Sequence, residues 1–403
     1  MEPLATLLGG ASGSDGGAAM KGKTLRVQTG SRLHFGLMEL HQGSSHCFAG
    51  MGAMVESPGL VLELATETSS EKSDRTSGTP RIECSQNLID RTNAVVQRVT
   101  SQGQLTRLPD SIRFVSELPL HCGLGAGTQT ACALTLALTE FDRGCDKRVH
   151  GESELHAVDP REPAEESQAT RLASEDMDAM MLSKLAGRGR RSAIGLQGIL
   201  SGGLVLDHGY QASSETAANS NSVVNSSESN TGGVSRGRTV QVQAVTPTHP
   251  FHVVLIFSPP EHVYAGQVEA SIIDRLGESP NPKQSEMMEL ATRAYAAFGK
   301  HDVVEFGQLL DQYMLLASDL FAAGQGGMYV SETVESIVQA AKRAGLLGVG
   351  QSSWGPTVFG FCENATQVPI AVDQLRETLP QECSVVPTQV ASNGGRMDWL
   401  SCD

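Results

Sequence analysis

The stretch LPLHCGLGAGTQTACAL, residues 118–134, decides how the chain folds. A strand-like segment, IRFVSELP (112–119), runs into Gly-Leu-Gly-Ala-Gly, and an apolar run follows, so the order is strand, glycine turn, helix. Glycine takes conformations closed to other residues and lets a ligand approach the backbone closely. The amides that open a helix carry partial positive charge, so an anion, and a phosphate above all, is the natural guest. Taken alone, the turn is as readily structural. It is neither the G-x-x-x-x-G-K-S/T phosphate loop nor a dinucleotide fingerprint, because no second βαβ unit with a ribose-binding acid follows.

Outward from this stretch, period-two patterning predicts strands at TLRVQT (24–29), continuing in extended form over 33–40, and at LVLELAT (60–66) and RIEC (81–84). Leu88, Val95, Val96 and Val99 recur at helical spacing within 87–100, and a second helix is predicted over about 168–185. TVQVQAV (239–245) and FHVVLIF (251–257) read as strands, three or four amphipathic helices fill 265–343, and strands at 357–362 and 384–390 flank a helix at 366–377. The pattern is that of an α+β chain.

With 403 residues, 39% of them hydrophobic, the chain is long enough for two domains and a substantial core. A net charge of -15 excludes a nucleic-acid binder, which needs a broad basic face, so any anionic substrate must meet a local basic patch. Eight cysteines without a CxxC pair, and no secretory leader, predict reduced thiols in a cytoplasm. No run approaches the ~20 apolar residues of a membrane span. Residues 1–22 read as a disordered tail, with Met20 a candidate start, and QASSETAANSNSVVNSSESNTGG (211–233) is low-complexity and has almost nothing to bury.

Three further stretches share the character of the opening one. TGSRLHFGLMEL (29–40) sets Arg32 and His34 in a glycine-containing strand, GRGRRSAIGLQGILSGG (187–203) concentrates Arg188, Arg190 and Arg191, and GVGQSSWGPTVFG (348–360) supplies hydroxyls and Trp354. Together SRLHFGL, GLGAGTQ, GRGRRSAIG and GVGQSSWGPT resemble the GHMP kinase superfamily from about Lys23 to the C-terminus. More narrowly, they resemble the β-ribofuranosylaminobenzene 5′-phosphate synthases of tetrahydromethanopterin biosynthesis.

The resemblance implies a two-domain α+β fold: an N-terminal domain like the second domain of ribosomal protein S5, a ferredoxin-like C-terminal domain, and the ligand between them. On this division the tail occupies 1–22 and the first domain 23–207, with polar insertions near 66–80 and 143–168. A Ser/Asn-rich insertion or linker then spans 208–238, and the second domain 239–403. Superfamily members that phosphorylate carry Gly-Leu-Gly-Ser-Ser, whose serine helps hold Mg²⁺, and Ser-Gly-Ile-Asp, whose aspartate activates the acceptor hydroxyl. Those positions are Gly127 and Gly195 here. Phosphoryl transfer depends on positioning, metal ions and charge neutralisation, so the double loss argues against kinase chemistry.

What the resemblance implies instead is condensation of phosphoribosyl pyrophosphate with 4-hydroxybenzoate or 4-aminobenzoate, releasing pyrophosphate and CO₂, with Mg²⁺ as cofactor and a homodimer as the assembly. A small-molecule kinase and a non-catalytic phosphosugar sensor of the same fold stay open as alternatives. Gly123, Gly125, Gly127 and Thr128 are assigned to the diphosphate, with Gln129 adding a hydrogen bond. Arg188 and Arg190, helped by Ser192, suit bidentate contacts to phosphate or carboxylate. Arg32, His34 and Arg191 are placed at the reacting centre, His34 to protonate leaving pyrophosphate or to orient the aromatic acid. Gln351, Ser352, Ser353 and Trp354 form the late loop, its indole available to stack on the benzoate ring. Glu56, Asp176 and Asp178 are metal candidates by rough position only, so no ligand is assigned. Cys122 reads as a small buried thiol.

Overall fold

The computed structural model describes residues 23–41, 43–44, 46–66, 79–103, 105–147, 170–171, 177–210, 240–259, 261 and 267–401. The tail over 1–22 and most of the three expected insertions lie outside the described residues. The opening stretch forms the expected order, with β4 (Ser111–Ser116), the glycine turn, then α2 (Ala126–Lys147).

β1 (Lys23–Leu37) buries every second residue from Leu25 to Phe35, the period of a strand with one covered face. It pairs antiparallel with β2 (Gly50–Ala65), a long strand whose other edge takes two partners. Its first residues pair with β6 (Leu204–Tyr210) and its last with β4. β3 (Arg81–Glu83) joins β4 in parallel, and β7 (Val240–Val245) adds to β6. β12 (Arg396–Ser401) closes on β1, with β5 (Thr170–Arg171) beyond it. On the register Arg26, Glu63 and Arg113 stand side by side across three strands, and the buried Glu63 carboxylate accepts from both guanidinium groups.

The apolar run after the glycine turn explains α2. Ala131, Cys132, Leu134, Leu138 and Phe141 are buried, and they share a core with Leu25, Val27, Leu62 and Leu64 of the sheet. α1 (Gln86–Gly103), α3 (Ala179–Ala186) and α4 (Ile194–Ser201) pack around α2. A second, four-stranded antiparallel sheet runs in the order β11 (Ser384–Gln389), β8 (His252–Phe257), β10 (Val358–Phe361), β9 (Leu347–Gln351). Helices α5 (Gln267–Leu276), α6 (Gln284–Gly299), α7 (Val303–Gln325), α8 (Glu332–Arg343) and α9 (Gln367–Thr378) complete this half. One continuous cluster, including Leu33 and Phe35 of β1 with Phe251, Phe306 and Phe359, joins the halves. β7 and β12 fall within 239–403 yet extend the first sheet.

The expected helix over 168–185 is in fact the shorter α3, because Asp178 stops it: its side chain accepts the Met181 N–H at 2.7 Å as an N-cap. Gly187, at φ +65°, ends it. IGLQGILS makes α4 despite two glycines, since a Cβ on Gly198 would lie 2.6 Å from Met54 Cγ and the helix could not approach the sheet.

Candidate functional site

The glycine turn, the strand carrying Arg32 and His34, and the late loop are one hydrogen-bonded unit. Gly123 and Gly125 have φ of +82° and +70°, the left-handed region that favours glycine. A Cβ on Gly123 would stand 2.1 Å from the Ser352 carbonyl oxygen, and one on Gly355 2.2 Å from Gly123 N. The Ser352 hydroxyl donates to the Gly123 carbonyl at 2.8 Å and accepts the His34 N–H at 3.1 Å. Ser353 N–H donates to the His34 carbonyl, and Arg32 N–H to that of Leu124, both at 3.0 Å.

This unit walls a cleft of about 600 Å³ between the two halves, lined by the glycine turn, residues 187–192, α5 and α7. Thr128 and Gln129 N–H both donate to the Gly125 carbonyl at 2.9 Å, starting α2 with its first amides at the cleft. No acidic residue occupies the first turn of α2.

Five arginines reach this space: Arg32, Arg91, Arg188, Arg190 and Arg191. Arg32 lies where a Gly125 side chain would be, its Nε 3.0 Å from the Cβ position. That Nε is sealed from solvent with no partner among the described residues, and burial, partly offset by Glu269, lowers the group to about 10. Arg188 is lowered by burial and then by repulsion from Arg91 and Arg98. Arg98 is tied back, donating to the Ala186 carbonyl at 3.1 Å. Arg191 pairs with Glu269 of α5 at 3.4 Å.

His34 is buried and neutral, its pKa held well below 6.5 by burial first and the Arg32 charge second. Its Nδ1 accepts the Gly36 N–H at 3.1 Å, which assigns the ring proton to Nε2. Trp354 lines the cleft and meets Phe321 edge to face at 5.1 Å. Gln351 braces the loop, accepting from Val330 N–H and donating to the Ser353 carbonyl. Ser192, also at the cleft, accepts from Ile194 N–H at 3.3 Å.

Two expected ligand groups do other work. Gln129 is fully buried beneath the turn, where its amide donates to the Gly195 carbonyl and accepts from Thr29, so it joins α2 to α4 and does not line the cleft. Ser352 is likewise fully buried, its hydroxyl occupied by Gly123 and His34. The metal candidates are not together. Glu56 is exposed and accepts from Gln389, Asp178 caps α3, and Asp176 lies outside the described residues. Among the described residues no three His, Cys, Asp or Glu side chains converge as a metal cage, and Glu269 is the carboxylate at the cleft. The Cys122 thiol is pushed up by burial, as for an inert side chain.

Sequence reasoning missed Arg91 and Glu269. Each sits on a helix outside every motif, and only helix packing brings it to the cleft.

The fold and this cleft define the GHMP kinase fold, and residues 294–381 match the family described as GHMP kinases C terminal. Solved structures share the architecture. Mevalonate diphosphate decarboxylase from Staphylococcus aureus is 11% identical with a TM-score of 0.55, over 94% of this chain and 98% of its own. Mevalonate kinase from L. major is 15% identical with a TM-score of 0.54, over 91% and 95%. Among curated proteins, the chain is similar to β-ribofuranosylphenol 5′-phosphate synthases. The one from Methanocaldococcus jannaschii is 22% identical over 86% of this chain and 92% of its own length. The one from Archaeoglobus fulgidus is 22% identical over 92% and 98%. Among the described residues no helix is long and apolar enough to cross a membrane.

Proposed function

We propose that the cleft takes phosphoribosyl pyrophosphate and a para-substituted benzoate, 4-hydroxybenzoate or 4-aminobenzoate, and joins them with loss of pyrophosphate and CO₂. The observation that carries this reading is Gly195. By the motif resemblance it stands where kinases of this fold place their aspartate, and a Cβ there would lie 3.0 Å from Thr128 Cγ2 and 3.3 Å from Gln129 Nε2. A cationic, amide-lined turn without a catalytic carboxylate suits a donor that arrives already pyrophosphorylated. The synthase name of the curated relatives supports the same chemistry.

In the reaction the anomeric C–O bond to diphosphate breaks, and the ring carbon bearing the carboxylate forms a C–C bond to the anomeric carbon. The bond from that ring carbon to CO₂ then breaks, its electron pair restoring aromaticity, and no strong general base is required. Negative charge grows on the departing diphosphate, where the first amides of α2, the Thr128 hydroxyl and Arg188 stabilise it. Glu269 and Thr128 are among the oxygen-bearing side chains of the cleft that would meet a Mg²⁺ carried in on the diphosphate, and such an ion would supply further neutralisation. Arg32 and Arg191 face the sugar and the acid. Because His34 is neutral, it orients an acceptor oxygen through Nε2–H and does not deliver a proton as an imidazolium. Trp354 offers its indole to the aromatic ring.

The test is incubation of the purified protein with Mg²⁺, phosphoribosyl pyrophosphate and each carboxyl-labelled acid, with Gly127→Trp alongside to block the turn. Donor-dependent CO₂ from the wild type alone is the expected outcome and identifies the acid. No CO₂ from a folded, donor-binding protein would overturn the reading in favour of a non-catalytic sensor, and ADP formed from ATP would favour a kinase.

A further inference from the structure

Arg91 belongs to no motif, yet its guanidinium, like that of Arg188, reaches the start of α2. A Cβ built on Gly127 would stand 3.3 Å from Arg91 Nη1 and 3.7 Å from Arg188 Nη2, so both reach over the same glycine. Both line the cleft. Residues one turn away on α1, Asn87, Leu88, Ala94 and Val95, offer Arg91 no carboxylate, and the first turn of α2 contains none. Asp90 and Glu117 line a neighbouring pocket with Arg91, but no described acidic side chain makes an ion pair with either guanidinium. Two like charges held near each other without a direct ion-pair partner cost free energy, and here a third, Arg98, adds to the repulsion felt by Arg188. An exposed arginine with only solvent to serve would rotate away from such a neighbour.

We propose that Arg91 and Arg188 form a paired clamp for the outer phosphate of a diphosphate, the inner phosphate lying on the amides of the glycine turn. This rests on the reading of the cleft as a diphosphate site and adds a specificity residue to it. Two guanidinium forks can each present paired donors to one phosphate, whose several oxygens accept them. An anion with a single phosphate on the turn would leave the clamp empty. The pair therefore selects diphosphate over monophosphate ligands and reads nothing of the sugar.

The experiment is calorimetric titration of inorganic pyrophosphate and of orthophosphate into wild type, Arg91→Met and Arg91→Lys. Arg91 is exposed on its helix, so the folded state should be retained in both variants, with circular dichroism as the check. For Arg91→Met, pyrophosphate affinity should fall about 10- to 100-fold, as for loss of a charge-assisted contact, and orthophosphate affinity by no more than about 3-fold. Arg91→Lys should fall between, since it restores charge without the fork. Unchanged pyrophosphate binding in Arg91→Met, with tight binding by wild type, would overturn the clamp alone. Equal losses for both anions would overturn its assignment to the outer phosphate. A wild type that binds no pyrophosphate would bring down the diphosphate reading itself, and the clamp with it.

Discussion

Ser352 and Gly123, far apart in the chain, are joined by a 2.8 Å hydrogen bond from the serine hydroxyl to the glycine carbonyl. The same hydroxyl accepts from His34 N–H, so one buried side chain holds the late loop, the glycine turn and the first strand in register. Ser352→Ala should leave one buried and one part-buried backbone group without their partner and lower stability by about 1–3 kcal/mol. Chemical denaturation measures it, and an unchanged midpoint would show that the three segments hold together by packing alone.

Gly195→Asp puts an acid where the motif resemblance places that of the phosphorylating enzymes, in a tight position. Thr128 and the hydrogen-bonded Gln129 must yield by a few tenths of an ångström to admit the new side chain, at a cost of roughly 1–3 kcal/mol. The variant should melt lower than wild type and form no ADP from ATP with any small alcohol. A stable variant that turns over ATP would show that only the aspartate separates this chain from a kinase.

His34 makes stability depend on pH with a definite sign. Its folded pKa lies well below 6.5, so the unfolded chain takes up this proton first, and stability falls as pH drops below 6.5 while nothing is lost above it. The difference in unfolding free energy between wild type and His34→Gln should therefore shift against wild type from pH 7 to pH 5. Nitrogen-15 spectra should show one neutral imidazole protonated at Nε2 throughout the range from pH 6 to 8.

Glu63 gives the opposite lesson from a carboxylate. Burial would raise its pKa, but hydrogen bonds from Arg113 and Arg26 outweigh burial and hold it below 4.5. Its contribution is thus present above pH 4.5 and lost as pH falls through the lowered value. Glu63→Gln should cost about 1–3 kcal/mol at pH 7, and the gap from wild type should narrow in acid. A gap that stayed constant down to pH 3 would mean the strands are held by shape and not by the charge.

Trp354→Ala separates a role in ligand binding from a role in packing. If the indole stacks on the aromatic acid, the KM for that acid should rise about 3- to 10-fold while the KM for the phosphorylated donor stays put. Parallel rises in both would assign Trp354 to its contact with Phe321 and to the shape of the loop.

What could be read in the sequence was what neighbours in the chain determine. The turn at 123–127 and the alternation in β1 are local events, since a left-handed φ demands glycine and a covered face demands every second residue. Gln129 shows where this ends. It sits in the motif beside Thr128, but the helix turns its amide inward to Gly195, away from the cleft. Arg91 shows the converse, for its relation to Arg188 depends on how α1 packs against α2 and α3, which no window of sequence contains. Asp207 was equally hidden. Buried at the start of α4, it accepts from Ala193 and Gly209 N–H and is pushed up to about 6 by burial, yet in the sequence it is an ordinary acid in a strand.

β12 closing on β1 has a consequence for the order of assembly. Lys23 pairs with Ser401 and Gln28 with Arg396, so β1 waits for a neighbour made after every other described strand. Until then β1 keeps one bare edge, and such edges pair with whatever strand they meet. The early half can gather around α2 during translation, but its sheet reaches full width only once β12 has been made.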